Sequence, residues 1–230
     1  MTMTISSREV KLAAKKFGAD ECGIAGVDRF YAAPEGFKPT DIFGKCKSVV
    51  VFLKKMPPEV LSLDNPVPYT RTANQLWEEL DAIELKLSLF LEDRGVPAVP
   101  VPSDDPYLYW NEKKKHGMGI MSMRHAAMLA GLGVLGRNTL LVNKDHGNLV
   151  YIGCVLAGKA LKADPVAKEA ICPPKCRICI KSCPVKALDG ITVNQKLCRG
   201  NSIKQTARGF TIYTCNLCRR ACPRREGVGK

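Results

Sequence analysis

Eight of the eleven cysteines fall between Cys172 and Cys222, and they fall as a repeat: Cys172-PPK-Cys176-RI-Cys179-IKS-Cys183-Pro184, then Cys198, then Cys215-NL-Cys218-RRA-Cys222-Pro223. So many thiols in one segment mean either a disulfide framework or a metal site, and the redox compartment separates the two. The opening MTMTISSREVKLAAKK enters an amphipathic pattern with no signal-peptide apolar region, and no apolar stretch approaches the ~20 residues that cross a bilayer. The chain is therefore expected in the cytoplasm, with no membrane partner and its cysteines reduced. That leaves metal.

Each half of the repeat supplies three cysteines and then a Cys-Pro. In two-cluster ferredoxins the first three thiolates of a run hold one 4Fe-4S cubane and the fourth, beside proline, crosses to the other. By that logic Cys172, Cys176, Cys179 and Cys222 hold one cluster and Cys198, Cys215, Cys218 and Cys183 the second, using all eight. The C-x2-C step lets neighbouring thiolates reach two irons of one cube, and proline after the crossing cysteine fixes φ and turns the chain away. Two departures stand out: the first gap is three residues instead of two, and Cys198 stands 17 positions before Cys215. A pair of S4 zinc sites is the alternative, disfavoured because zinc ribbons have no use for the duplicated Cys-Pro. Cys22, Cys46 and Cys154 lie in or beside expected strands and read as small buried hydrophobes.

The other residues supply the core. With 230 residues, 46% apolar and 25% charged, there is material for a large domain and a smaller appendage. Ser6 or Ser7 followed by Glu9 predicts a helix start, and Gly18 its stop. Segments 22–27 and 48–54 read as strands, and the prolines at 57, 58, 66 and 68 as a loop. Leu76, Leu80, Ile83, Leu87 and Phe90 predict a long core-packing helix. The proline-bearing 96–101 reads as an edge strand, 121–130 as a helix, and 139–143 with 149–157 as a hairpin turning at Gly147. A boundary is expected near residue 165, giving a domain over 1–165 and a second over 166–230. Of the +13 net charge, most belongs to the tail, where residues 172–230 hold thirteen Lys or Arg against two acids. Such a balance suits an anionic partner, although anionic clusters would absorb part of it.

Gly131-Leu132-Gly133-Val134-Leu135-Gly136 spells G-x-G-x-x-G, but a dinucleotide site needs a strand before it and a helix after. Here the order is reversed. The three glycines are turn residues, or else they let backbone approach a flat ligand closely.

Together, Arg124-HAAML-Ala130-Gly131-Leu132-Gly133-VL-Gly136-Arg137-Asn138-Thr139-Leu140-Leu141, Gly147, the strand YIGCVL and the two cysteine runs resemble the epoxyqueuosine reductase family, itself related to the reductive dehalogenases. The resemblance implies an α+β protein: a nitroreductase-like, cobalamin-binding α/β domain followed by a ferredoxin-like domain with two 4Fe-4S clusters. It implies a reductase fed by a low-potential ferredoxin- or flavodoxin-type donor. Arg124, His125, Gly131, Gly133, Gly136 and Asn138 are its candidate cofactor-binding residues. Two departures separate this chain from the family pattern: it stops eight residues after Cys222, where epoxyqueuosine reductases continue into helical repeats, and Gly117 stands where the family carries a proton-donating aspartate. These lead to the expectation that tRNA is not a substrate and that a small molecule is. With Gly117 unable to donate, His116, Tyr107 and Tyr109 are the candidate catalytic acids, upstream of the glycine loop; Glu112, Asp105 and Asp104 are the nearest upstream carboxylates. Two other function classes stay open: a two-cluster electron-transfer protein with no catalytic cofactor, and a zinc-dependent nucleic-acid-binding module.

Overall fold

A computed structural model describes residues 5–113, 115–168 and 171–229; Lys114, the middle of the 113–115 lysine run, lies outside them. Helix α1 (Ser7–Lys16) opens with the expected capping box: Ser6 Oγ accepts from the Glu9 N–H, and Glu9 Oε2 accepts from the Ser6 N–H at 2.8 Å. Strand β1 (Glu21–Gly26), the short α2 (Pro39–Ile42) and β2 (Ser48–Lys55) follow. Helix α3 (Pro66–Glu92) starts ten residues before the leucine stripe. Pro66 and Pro68, expected in a loop, form its first turn instead, where backbone N–H groups have no helical partner and proline loses nothing. Asn65 caps it by accepting from the Val67 N–H at 2.9 Å.

Next come β3 (Ala98–Val101), the hairpin β4 (Tyr109–Asn111) and β5 (His116–Met118), α4 (Met123–Leu129), β6 (Val134–Leu135), β7 (Leu141–Val142) and β8 (Val150–Ala157). The main sheet has the order β1-β2-β8-β3 and is antiparallel throughout. β2 and β8 occupy its centre, and their side chains alternate between two apolar layers. Val50, Phe52 and Val155 join α1 and α3 on one face; Val49, Val51, Cys154 and Leu156 join α4 and the glycine loop on the other. β3 takes the edge, as its prolines require.

The expected hairpin between 139–143 and 149–157 does not form. β7 pairs with β6, while β8 goes to the middle of the main sheet. The reason is burial: β8 is apolar on both faces, and only a central strand covers both. The intervening turn closes on itself, through Asn143 N–H to Gly147 O at 2.7 Å and Gly147 N–H to Asn143 O at 3.0 Å. Among the described residues no helix is long and apolar enough to cross a membrane.

The cysteine-rich part carries α5 (Ile178–Lys181), α6 (Gln195–Ser202), β9 (Ile203–Gln205), β10 (Thr211–Tyr213) and α7 (Leu217–Arg220). It packs against α3, where the Tyr213 N–H donates to Thr70 Oγ1 at 2.9 Å and the Tyr213 ring meets Trp77 edge-on at 5.8 Å.

One carboxyl sits inside the core. Glu84 of α3 is 2% exposed and its Oε1 accepts from the Cys154 N–H at 2.9 Å. Burial pushes its pKa from 4.5 to about 9, so the folded chain holds this proton more tightly than the unfolded one. The stabilisation is complete below about pH 4.5 and fades as pH rises toward about 9. Glu84→Gln keeps an acceptor and removes the proton, so it should flatten this dependence. Urea midpoints measured from pH 5 to 9 test it; parallel curves for the two proteins would show that Glu84 is not the source.

Candidate functional site

The sequence repeat is also a structural repeat. α5 and α7 are four-residue helices packed on each other, each preceded by a residue with nearly the same backbone: φ −127°, ψ 16° at Arg177 and φ −130°, ψ 16° at Asn216. Each ends in the same turn, with Cys183 N–H to Ile180 O and Cys222 N–H to Arg219 O both at 3.3 Å.

Cys172, Cys176, Cys179 and Cys222 line one largely enclosed cavity, closed by Pro173 and Pro223 and, from outside the cysteine-rich segment, by Gly136, Arg137, Asn138 and Val142. Burial raises the Cys222 thiol first, a backbone bond at Arg224 eases it, and Cys172, Cys179 and Cys176 raise it further. Electrostatic reach links the other four thiols. Burial raises Cys198, the Ser202 hydroxyl eases it, and Cys215 and Cys183 push it up. Cys218 is pushed up to about 11 by burial and then by Cys198, with Arg219 opposing; Cys215 and Cys179 also contribute. One cavity thus combines three thiols of the first run with Cys222 of the second, while Cys198 lies within electrostatic reach of Cys183, Cys215 and Cys218. Among the described residues no group of three His, Cys, Asp or Glu is arranged to hold a single metal ion.

Cys46 and Cys154 are buried and Cys22 packs at the edge of the core. Burial pushes the thiols of Cys22 and Cys46 up to about 12 and about 11. They sit as small apolar side chains.

The glycine loop follows α4, a helix, as the sequence indicates. Gly131 has φ +80° and Gly133 φ +151°. A Cβ on Gly131 would strike the Pro165 carbonyl; on Gly133 it would stand 2.5 Å from the Val142 carbonyl oxygen, and on Gly136 2.7 Å from Asn138 Oδ1. The close approach that glycine permits is taken up by the chain itself. These three residues therefore show no cradle for a large planar group such as cobalamin. Asn138 is buried, donates to the Cys218 carbonyl at 3.1 Å and accepts from the Leu140 N–H at 3.2 Å; Arg137 donates to the Pro174 carbonyl. The loop clamps both cysteine runs. Arg124 is half-buried and donates to Thr139 O at 2.6 Å and Thr139 Oγ1 at 3.0 Å, holding a residue whose φ of +63° is unusual for threonine. His125 is exposed, its Nδ1 2.8 Å from Ser122 Oγ, and burial and Arg124 lower its pKa, which favours the neutral ring.

Of the three candidate acids, Tyr109 and His116 meet edge-on across one hairpin, and Tyr107 is held elsewhere. Tyr107 faces the cysteine-rich part: its hydroxyl donates to Asp104 Oδ1 at 3.3 Å and accepts from Arg199 Nη2 at 2.8 Å. Tyr109 is exposed on the β4–β5 hairpin, its ring 6.5 Å from His116, and His116 borders a different cleft with Lys186, Asp189 and Lys196. Gly117 is clamped by Gln195, donating to its Oε1 at 3.0 Å and accepting from its Nε2 at 3.1 Å. A Cβ at 117 would meet Trp110 at 3.0 Å, so an aspartate there would require Trp110 to give way.

The acidic group present is Asp104. Burial first, then Asp105, raises its pKa to about 6. Sequence reasoning named Asp104 only as an upstream carboxylate and did not single out Arg199 or Gln195, because the contacts join residues more than 75 positions apart. The one local signal was the Asp104-to-Tyr107 spacing.

No protein-family model matches the chain. By sequence it is 30% identical over 121 residues to an epoxyqueuosine reductase of Staphylococcus aureus, covering 48% of this chain and 31% of that protein, and 32% identical over 112 residues to that of Francisella cf. novicida, covering 44% and 31%. These matches span about a third of the length of the curated relatives. By structure it superimposes on epoxyqueuosine reductase from Streptococcus thermophilus with a TM-score of 0.65 at 17% identity, over 99% of this chain and 67% of that one. A reductive dehalogenase for which a B12-dependent mechanism has been suggested matches at 0.72 and 18%, over 99% and 33%. An epoxyqueuosine reductase crystallised with a tRNA-Tyr stem loop matches at 0.61 and 18%, over 95% and 64%. The expectation that tRNA is not a substrate is not borne out, since the fold held by this chain is also the fold of that tRNA-bound enzyme. The chain is thus similar in sequence to epoxyqueuosine reductases over about half of itself and shares its fold with them and with the reductive dehalogenases.

Proposed function

We propose that this chain is an iron-sulfur oxidoreductase that carries low-potential electrons through two 4Fe-4S clusters to an acceptor beside Tyr107 and Asp104. The observation that carries the reading is the crossing within one cavity, where Cys222 of the second run joins Cys172, Cys176 and Cys179 of the first; Cys183 acts on Cys198 in the converse sense. When bound, the clusters supply single electrons at low potential. Gly136, Arg137, Asn138 and Val142 wall the first cysteine group, and Asn138 ties that wall to the second run. Arg199, next to Cys198, reaches Tyr107, so the second cysteine group lies one residue from a hydrogen-bonded acid. With a pKa of about 6, Asp104 holds a useful protonated fraction near neutral pH and can return a proton through the Tyr107 hydroxyl. The basic tail suits an acidic ferredoxin- or flavodoxin-type donor, whose association should weaken with salt.

The acceptor is either a small molecule or a modified nucleotide of tRNA, the substrate class of the relatives. Cobalamin enters only through the resemblance, because the glycine loop shows no cradle for it. That same observation favours a second reading, a two-cluster electron-transfer protein without a catalytic cofactor. Anaerobically purified protein separates them. About eight irons and eight sulfides per chain with absorption near 400 nm are expected; a colourless zinc protein would overturn the proposal. Stoichiometric uptake of cobalamin, or reduction of an epoxyqueuosine stem loop, would identify the acceptor. Neither of these, in a protein that still passes electrons between donor and dye, would establish the second reading.

A further inference from the structure

Arg219 lies between two cysteines of the second run, yet only 8% of it is exposed. Its guanidinium sits 5.1 Å over the Tyr151 ring, and Nη1 points at Met56 Sδ at 3.7 Å. The groups that act on it electrostatically are Tyr69, Tyr151 and the Cys218 thiol; among the described residues no carboxylate pairs with it. Half-buried Arg124 lies within electrostatic reach of it and adds a second positive charge. A buried cation without an anion is costly to fold, and phenols and a thioether do not neutralise it. The repeat sharpens the point: where the second run reads Cys218-Arg219, the first reads Cys179-Ile180.

We propose that Arg219 is the charge partner of the cluster held by Cys183, Cys198, Cys215 and Cys218, and that it raises that cluster's reduction potential. The inference rests on the cluster reading given above. A cubane ligated by four thiolates carries net negative charge that grows on reduction, so a fixed neighbouring cation favours the reduced form. The first cysteine cavity has other cations in its lining, Arg137 and Arg224, and isoleucine at the place that matches Arg219. Arg219 thus favours the reduced form of the second cluster, the one whose Cys198 adjoins Arg199 and so Tyr107. A purely structural Arg219, bolting α7 beneath β8, would affect stability and leave potentials alone.

The test is an anaerobic redox titration of the full chain, each cluster followed by electron paramagnetic resonance. Arg219→Met keeps the stem and removes the charge. At a fixed donor potential, the reduced-to-oxidised ratio of one cluster should fall on the order of tenfold, equal to about 59 mV for one electron, with iron and sulfide unchanged. Arg219→Lys, which keeps the charge, should stay within about threefold of the parent. If Arg219→Met is insoluble, Arg219→Gln gives the same reading. Two intact clusters with unshifted potentials would overturn the role of Arg219 alone. Parent protein without iron or sulfide would overturn the cluster reading, and this inference with it.

Discussion

Serine in place of Cys222 should abolish one cluster and serine in place of Cys183 the other, each variant keeping about four of about eight irons per chain. The expectation follows from the crossing. Cys222 belongs by sequence to the second run but shares its cavity with Cys172, Cys176 and Cys179, while Cys183 belongs to the first run and acts on Cys198. If each run served its own cluster, Cys222→Ser would spare the cluster of Cys172, Cys176 and Cys179. The double variants decide between the two pairings. With crossing, Cys222→Ser combined with Cys172→Ser still retains about four irons, because both changes fall on one cluster; without crossing it retains none. Iron and sulfide analysis, with the spectrum of the surviving cluster, reads the result.

Gly133→Val should cost at least about 3 kcal/mol of stability and lower the melting temperature on the order of 10 °C, whether or not any cofactor is present. The backbone there has φ +151°, and the new Cβ would stand 2.5 Å from the Val142 carbonyl oxygen, 3.0 Å from its carbon and 3.1 Å from Asn143 Cα. All three are backbone atoms that no side-chain rotation can move aside. Asn143 adds to the effect, because its Nδ2 donates to the Leu132 carbonyl at 2.8 Å and its Oδ1 accepts from the N–H groups of Asp145 and His146. Thermal unfolding of the protein as purified measures the loss. A variant that melts like its parent but no longer takes up cobalamin would return this glycine to the role of contacting a flat ligand.

Features governed by near neighbours in the chain were legible early. The capping box at Ser6, the leucine stripe of α3, the two central strands and the proline-bearing edge strand all express local geometry and apolar periodicity. The cysteine repeat was more informative still, because ligand spacing and Cys-Pro carry chemistry within a few residues. The helix start at Pro66 was missed because proline reads alike in a loop and in a first helical turn. The hairpin was misassigned because the turn around Gly147 is real while its flanking strands pair elsewhere. A turn reverses the chain without choosing its partners. β8 pairs with β2 and β3 because they let it bury both faces.

The candidate site divides along the same line. Which thiols the proposed clusters would use follows from residue type and spacing, so Cys172 through Cys222 could be named from the sequence one by one. What surrounds them follows from contacts between distant segments. Asn138 reaching Cys218, Gln195 clamping Gly117, Arg199 meeting Tyr107 and Arg219 lying under Tyr151 join residues 68 to 92 positions apart. No periodicity encodes such pairs. They arise when the cysteine-rich part packs on the sheet domain, and that burial raises the Asp104 pKa, encloses the first cysteine group and leaves a cation beside the second. Residue types are written in the sequence, but the burial that raises the Asp104 pKa and encloses Arg219 exists only in three dimensions.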